Sequence, residues 1–446
     1  MSLTSAAPYR VLIIAEAANP NWPSVPLVGW SHAAALARVA DVHVVTQVRN
    51  LPAFREAGWR EGADFTAIDS EPAARPLWKF DSAVRSLTGL GWTASTALSA
   101  LPYYYFEHMV WRAFGDRIRR GEFAIVHRLT PLTPTTPSRI ARRCVGAGAR
   151  FVWGPINGGV AWPKEFDQVR RQEGEWLSYV RDAYKLLPGY HSTRRCASAI
   201  LVGSLASRDQ LAPEAQARAI YIPENAIDPQ RFSRQVDRPL TLPLRVAFVG
   251  RLVPYKGADM LLEAAAPLLR EGRVTLDVIG DGPEMPRLKS LAAQLGVADR
   301  VRLDGWVENT RLQERLVESD VLGFPSVREF GGGVVLEAMA LGLVPIVVDY
   351  AGPAELVSDA TGFRVALGTR AEIVVRVRDV LSRLLSAPET VRAIGRRARN
   401  RVFSLFTWDH KARQTLAVYE WVLGRGPRPE LGAPFPDPVD LEGYRI

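Results

Sequence analysis

Two cations flank a tight turn between a predicted strand and a predicted helix. Arg251 and Lys256 belong to the run Gly250-Arg-Leu-Val-Pro-Tyr-Lys-Gly257, which follows an apolar stretch at Leu244–Val249. Arginine offers a planar fork of donors and lysine a compact charge, and both would stand beside a helix N-terminus. This combination favours binding of a diphosphate that gains negative charge as it departs. A solvated basic turn is the alternative interpretation.

Two carboxylates flank a second candidate loop. Glu329 and Glu337 are separated by seven residues that include three successive glycines, and the loop follows an apolar stretch at Val321–Phe324. Such glycines let backbone N–H groups approach a ligand closely and direct a helix N-terminus at an anion. Carboxylates accept hydrogen bonds from the paired hydroxyls of a sugar or ribose. For Glu337 alone, a favourable interaction with the helix dipole is the simpler alternative.

Four further candidates lie in the first half of the chain. Asn157 and Gly158 follow the apolar stretch at residues 151–153, where an amide side chain could bond a hydroxyl or phosphate and glycine permits close backbone approach. His127 ends another predicted strand, and Gly29 precedes the first predicted helix. A plain turn at 157–158 and a structural role for His127 are the alternatives.

Strands and helices alternate through both halves, which predicts an α/β protein with two doubly wound parallel sheets. The predicted strands are residues 10–15, 42–46, 124–127, 151–153 and 199–203, then 244–249, 274–279, 301–303, 321–324 and 344–348. Proline and polar residues at 222–243 predict a linker. The predicted organisation is an N-terminal domain at 1–222, a crossing segment at 223–243, a C-terminal domain at 244–405, and a helix with a Pro-rich tail at 406–446 that could pack back on the first domain.

The two loops together resemble the donor site of the family 4 (group 1) retaining glycosyltransferases. That family has the GT-B fold, in which two Rossmann-like domains face each other across a cleft. Further matching runs are Val278-Ile-Gly-Asp-Gly-Pro283, Val301-Arg-Leu-Asp-Gly-Trp-Val307, Ile222-Pro-Glu-Asn-Ala-Ile-Asp228 and the Ala-Met-Ala-Leu-Gly-Leu-Val-Pro345 run after Glu337. The resemblance covers residues 222 to about 406 by motif and the first half by architecture.

The resemblance implies a role for each loop residue. Arg251 and Lys256 would grip the donor diphosphate, Glu329 would face the donor sugar, and Glu337 would bond the ribose. The implied donor-binding set also contains Gly250, Gly29, Gly331, Gly332, Gly333 and Val307, with Asn157, Gly158 and His127 as acceptor or cleft candidates. Relatives usually have one residue between the first Glu and the aromatic residue, whereas here Phe330 follows Glu329 directly.

The sequence thus predicts transfer of a sugar from a nucleotide-diphosphate donor to a polysaccharide, glycolipid or lipid-linked acceptor, with retention at the anomeric carbon. No Asp-x-Asp pair occurs in the chain, so neither a metal nor another cofactor is expected. An epimerase of the same fold and a binding protein without turnover are the competing interpretations. The lack of a Gly-x-Gly-x-x-Gly run after either first strand argues against a dinucleotide-dependent oxidoreductase.

The composition limits the classes of partner that the protein is expected to bind. The chain has 446 residues, 47% of them hydrophobic, and a net charge of +9, which suits an anionic partner. Nucleic acid is not expected, because the basic residues are scattered without a recognised binding motif. Aromatic and basic residues alternate at 78–120, which favours peripheral contact with an anionic membrane, although the same aromatics could cover the first domain's sheet. The polar leader lacks a secretory pattern, so a cytoplasmic location is expected.

Overall fold

The computed structural model of the chain describes residues 9–72, 92–172, 183–430, 435–438 and 441. These residues form two compact units. One draws on Met1–Gly159, Arg170–Glu224 and Trp408–Leu431, and the other on Val160–Val169, Asn225–Thr407 and Gly432–Ile446. A short segment from each half of the sequence therefore belongs to the unit formed mainly by the other half.

The first unit is built on a parallel sheet with the strand order β3-β2-β1-β4-β5-β6-β7. Its strands are β1 (Arg10–Ala15), β2 (Asp41–Gln47), β3 (Phe65–Ile68), β4 (Ile125–Thr130), β5 (Arg150–Ile156), β6 (Ala197–Val202) and β7 (Ala219–Tyr221). Nearly every residue of β1 and β5 is buried, because helices cover both faces of a parallel sheet.

The helices of the first half are α1 (Val25–Ala37), α2 (Leu51–Glu56), α3 (Trp92–Arg119), α4 (Ile140–Gly146), α5 (Asp167–Gln172), α6 (Tyr190–Cys196), α7 (Leu205–Asp209) and α8 (Pro213–Gln216). Of the aromatic and basic segment predicted at 78–120, residues 78–91 lie outside the described residues.

The second unit has a parallel sheet with the order β10-β9-β8-β11-β12-β13. Its strands are β8 (Leu244–Val249), β9 (Val274–Ile279), β10 (Val301–Gly305), β11 (Val321–Phe324), β12 (Val344–Val348) and β13 (Phe363–Val365). The helices that follow are α9 (Ala258–Arg270), α10 (Met285–Gln294), α11 (Asn309–Leu316), α12 (Gly333–Ala340), α13 (Ala351–Leu356), α14 (Arg370–Ser386), α15 (Glu389–Leu405) and α16 (Trp408–Val422).

Helix α16 belongs to the first unit. The Thr415 hydroxyl lies 3.1 Å from Nε2 of His32 on α1, and the Tyr9 hydroxyl donates to the Glu420 carboxylate at 2.6 Å. The last helix among the described residues is thus hydrogen-bonded to residues near the start of the chain.

The strand order reverses beside the first strand of each sheet. β1 lies between β2 and β4, and β8 lies between β9 and β11. The chain leaves such a pair of strands in opposite directions, which opens a crevice at their carboxyl ends. The loops after β8 and β11 therefore meet where ligands bind in open α/β sheets.

Candidate functional site

The two candidate loops of the second unit are joined to each other by hydrogen bonds. The backbone N–H of Val327 donates to the Tyr255 carbonyl at 3.0 Å, and the Ser326 hydroxyl donates to the same oxygen at 3.3 Å. Gly257 ends the first loop in a left-handed conformation with φ of 77°, and a Cβ atom there would lie 2.6 Å from the Pro325 carbonyl oxygen. Glycine is thus required where the loops touch.

Lys256 and Glu329 are brought into direct contact. The Lys256 ammonium pairs with the Glu329 carboxylate and lies 5.3 Å from the centre of the Phe324 ring. Only 18% of the Lys256 side chain and 17% of the Glu329 side chain are exposed. Burial lowers the pKa of Lys256 to about 8, because the charged form loses hydration. The ammonium is still mostly protonated at neutral pH and is held at the carboxyl edge of the sheet.

Gly250 and Arg251 open the first loop. The Gly250 N–H donates to the Ile279 carbonyl at 3.0 Å, which ties the end of β8 to β9. The Arg251 side chain is exposed and forms no ion pair within the part of the chain that the structure describes. The structure therefore places Arg251 in the predicted loop without joining it to the contact between Lys256 and Glu329.

The three glycines lead into α12. Gly331 and Gly332 are buried, Gly332 is left-handed with φ of 61°, and Gly333 is the first residue of the helix. The first N–H groups of the helix point back along this loop, which suits an anion. Glu337 lies one turn further along α12, beyond its first turn, and is partly exposed.

Val307 follows β10, the edge strand separated from β8 by β9. It is partly exposed and precedes α11. Its position borders the sheet edge rather than the contact between Lys256 and Glu329.

Trp162 is a neighbour of these loops that sequence reasoning missed. The Arg328 guanidinium lies 4.8 Å from the Trp162 ring centre, and the Tyr255 ring meets Trp162 edge to face at 5.7 Å. The Tyr350 hydroxyl donates to the Ala161 carbonyl at 2.6 Å, which fixes the adjoining backbone. All of these residues belong to the second unit. The only local signal was that Trp162 follows a glycine-rich turn.

Comparison with known proteins gives a family for this region. The family described as "Glycosyl transferases group 1" matches residues 230–401, which include both loops and α12. Residues 230–401 are thus similar to the group 1 glycosyltransferases. The resemblance inferred from the motifs is thereby confirmed.

Curated relatives match less than half of the chain. The MMP alpha-(1->4)-mannosyltransferase of Mycolicibacterium hassiacum is 33% identical over 180 residues, 40% of this chain and 43% of the relative. The 2-deoxystreptamine glucosyltransferase of Streptomyces kanamyceticus is 31% identical over 220 residues, 47% of this chain and 56% of the relative. The chain thus spans about half the length of the glycosyltransferases that it matches.

Solved structures show the fold over nearly the whole chain. A glycosyltransferase from Rickettsia africae has a TM-score of 0.59 at 14% identity and covers 93% of this chain and 98% of its own. The Anabaena protein HepE in complex with UDP has a TM-score of 0.59 at 15% identity, covering 92% of this chain and 100% of its own. The predicted GT-B fold class is confirmed.

In the first unit, Asn157 forms hydrogen bonds with other groups of the protein. Its amide nitrogen donates to the Glu224 carboxylate at 2.6 Å, and its oxygen accepts from the Gly158 N–H and the Ser204 hydroxyl, both at 3.0 Å. Asn157 is buried, while Glu224 is partly exposed. The amide therefore positions Glu224 and the backbone at Gly158.

His127 and Gly29 are both buried in the first unit. Nε2 of His127 donates to the Gly154 carbonyl at 2.6 Å, and Nδ1 accepts from the Tyr419 hydroxyl at 2.6 Å. Burial lowers the pKa of His127 to about 4, so the ring is neutral at physiological pH with both nitrogens occupied. A Cβ atom on Gly29 would lie 2.2 Å from the Ala17 carbonyl oxygen. Close packing of α1 on the loop that follows β1 therefore requires glycine at this position.

The described residues contain no group of three or more His, Cys, Asp or Glu that could hold a metal ion. No helix among them has the length and apolar character needed to cross a membrane.

Proposed function

We propose that this chain is a nucleotide-sugar-dependent glycosyltransferase that acts in the cytoplasm and retains the anomeric configuration. Its acceptor is a polysaccharide, a glycolipid or a lipid-linked sugar. One observation supports the proposal: Lys256 and Glu329 are in contact, in the loops that follow the neighbouring strands β8 and β11, and Glu329 shortly precedes α12 in the sequence. Both side chains lie within the region that the family model matches.

The donor would be bound through its diphosphate and its hydroxyls. Lys256 and Arg251 supply positive charge, and the N–H groups at Gly332 and Gly333 supply neutral donors. Glu329 accepts from a hydroxyl of the donor sugar and Glu337 from the ribose. In support, the related protein HepE was solved with UDP bound.

The transfer breaks the bond between the anomeric carbon and the diphosphate oxygen and forms one to the acceptor oxygen. The acceptor proton goes to the departing phosphate on the same face of the sugar, which retains the configuration. Negative charge therefore grows on the diphosphate, where Lys256 and Arg251 stabilise it. These two cations supply the neutralisation that a metal ion supplies in transferases with an Asp-x-Asp pair, so we propose a reaction without metal.

Peripheral contact with anionic lipid is part of the same proposal. On α3, Leu101 is 48% exposed, Tyr105 is 37% exposed and Arg112 is exposed on the same helix face. Tyr103, by contrast, is buried and donates to the Glu107 carboxylate at 3.0 Å. Some aromatics of the segment thus pack inside the first unit, and the exposed ones carry the membrane proposal.

Product analysis with labelled nucleotide sugars tests the function. A transferase releases sugar from the donor in the presence of acceptor and yields a new glycoside, whereas an epimerase interconverts donors and a binding protein leaves them unchanged.

Lys256→Ala should lose about a hundredfold or more in turnover because one stabilising cation is removed. Unchanged circular dichroism would show that the variant folds. Near-normal turnover in that folded variant would refute the diphosphate role of Lys256.

A further inference from the structure

Arg328 is held by aromatic side chains beside the proposed donor site. Its guanidinium lies 4.8 Å from the Trp162 ring centre and 5.6 Å from that of Phe330. Arg328 directly precedes Glu329, whose carboxylate contacts Lys256. Arg251 and Lys256 lie in the loop after β8, and Arg328 adds a third cationic residue from the loop that joins β11 to α12.

The aromatic partner comes from a distant part of the sequence. Trp162 lies in Val160–Val169, a segment that belongs to the second unit. Its ring meets Tyr255, and the neighbouring Ala161 carbonyl accepts from Tyr350. Both the ring and the backbone of this segment are thus attached to the loops of the second unit.

A cation over an aromatic ring is attracted to the ring by its charge, so this contact restrains an arginine without consuming a hydrogen bond. A guanidinium restrained in this way gives up less side-chain freedom when it binds an anion, because its position is already restricted. Trp162 can therefore position Arg328 for phosphate binding without itself contacting the ligand.

We propose that Arg328 is a further donor-binding residue, a third cation for the nucleotide diphosphate, and that Trp162 is its positioning residue. This inference rests on the proposed function, because it requires that a nucleotide diphosphate bind at these loops. Arg328 then acts with Lys256 and Arg251, and the ring of Trp162 sets the direction of its N–H donors.

Calorimetric titration separates this role from a structural one. UDP, GDP and ADP are titrated first, and the strongest binder is compared with its monophosphate and its nucleoside. Arg328→Ala should weaken the diphosphate about tenfold to a hundredfold, weaken the monophosphate less and leave the nucleoside unchanged, since a charge-assisted bond to phosphate is lost. Val375→Ala, at an exposed position on α14 of the same unit, is the matched control.

A double-mutant cycle tests the positioning role. Trp162→Ala should lose about as much diphosphate affinity as Arg328→Ala, and the double variant should lose little more, because both changes remove the same interaction. Trp162→Phe should recover most of the affinity, since it keeps an aromatic face. If an alanine variant fails to fold, Trp162→Phe and Arg328→Lys replace it in the titrations.

The titrations distinguish a failure of the role proposed for Arg328 from a failure of the proposed glycosyltransferase function. If the wild-type protein binds none of the three diphosphates, the proposed function fails and the inference falls with it. If the wild type binds one, equal losses for diphosphate and nucleoside would overturn the role of Arg328. Additive losses in the double variant would overturn the role of Trp162.

Discussion

The Lys256 ammonium contacts the Glu329 carboxylate, although the two residues follow different strands and lie 73 positions apart. The contact forms because β8 and β11 are neighbours at the point where the strand order reverses. Under the proposed function, a diphosphate that binds there competes with the Glu329 carboxylate for Lys256. We therefore expect the pair to influence both the affinity for the diphosphate and the change of that affinity with pH.

Replacing Glu329 with glutamine should raise affinity for the nucleotide diphosphate while lowering sugar transfer. A neutral amide competes less for Lys256 than a carboxylate does, so we expect a gain of about threefold to tenfold in binding. The sugar contact proposed for the carboxylate is lost, so turnover should fall. Titration of the free diphosphate and a rate assay measure the two effects. Weaker diphosphate binding in Glu329→Gln would contradict this account of the pair.

Diphosphate affinity should fall as the pH rises through about 8. Burial brings the pKa of Lys256 to about 8, whereas an exposed lysine titrates near 10.4. The phosphate favours the protonated ammonium, so binding weakens above the folded pKa, by at most about tenfold per pH unit for one proton. Titrations between pH 7 and 9.5 would show the decline.

Lys256→Arg is the control for that profile, because a guanidinium keeps its charge over this range. Its affinity should stay nearly constant with pH, even if its absolute value differs. If the affinity of Lys256→Arg for the diphosphate falls as steeply with pH as that of the wild type, the titrating group is not Lys256.

Glu337→Ala should raise the Michaelis constant for the donor and change the turnover number little. A ribose contact lies away from the bond that breaks, so it stabilises the bound donor and the transition state about equally. Val375→Ala on the same unit is a suitable control. An unchanged Michaelis constant in Glu337→Ala would remove the ribose contact from the proposal.

Local features of the sequence predicted the loops of the second unit well. The apolar stretch before each loop and the glycine-rich start of α12 are continuous in sequence, and the structure contains both strands and the helix. The sequence did not predict the strands β3, β7 and β13, which have only three or four residues. Strand β11 is equally short, but the glycine-rich loop after it drew attention to it.

Contacts between distant positions could not be predicted from one sequence. The His127 ring bonds a tyrosine 292 positions later, and Asn157 bonds a glutamate 67 positions later. The contact of Arg328 with the Trp162 ring is of the same kind. Each pairing depends on how distant segments of the chain come together in the folded protein, and no local pattern records it.

Activity should persist in excess chelator. If Lys256 and Arg251 supply the charge that stabilises the leaving diphosphate, removing divalent ions withdraws nothing from the site. Rates measured in excess EDTA should then match those measured with magnesium or manganese. Loss of activity in EDTA that either metal restores would overturn the proposal of a metal-independent reaction.

The protein should bind anionic vesicles weakly and in a manner that depends on salt. The exposed side chains of Leu101, Tyr105 and Arg112 on α3 combine apolar surface with positive charge. Tyrosine favours the headgroup level, and arginine is attracted to anionic lipid. Because such attraction fades beyond a Debye length of about 10 Å at 0.1 M salt, binding should weaken as salt is added.

Sedimentation with vesicles of phosphatidylglycerol and phosphatidylcholine measures this binding, with pure phosphatidylcholine as the uncharged control. The double variant Leu101→Ser, Tyr105→Ser should remain in the supernatant at salt concentrations where the wild type sediments, because each change removes apolar area from the contact while preserving the net charge. Val145→Ser, at another exposed apolar position of the first unit, should sediment like the wild type. If the wild type stays in the supernatant at low salt with anionic lipid present, the membrane contact fails and a soluble acceptor becomes the better proposal.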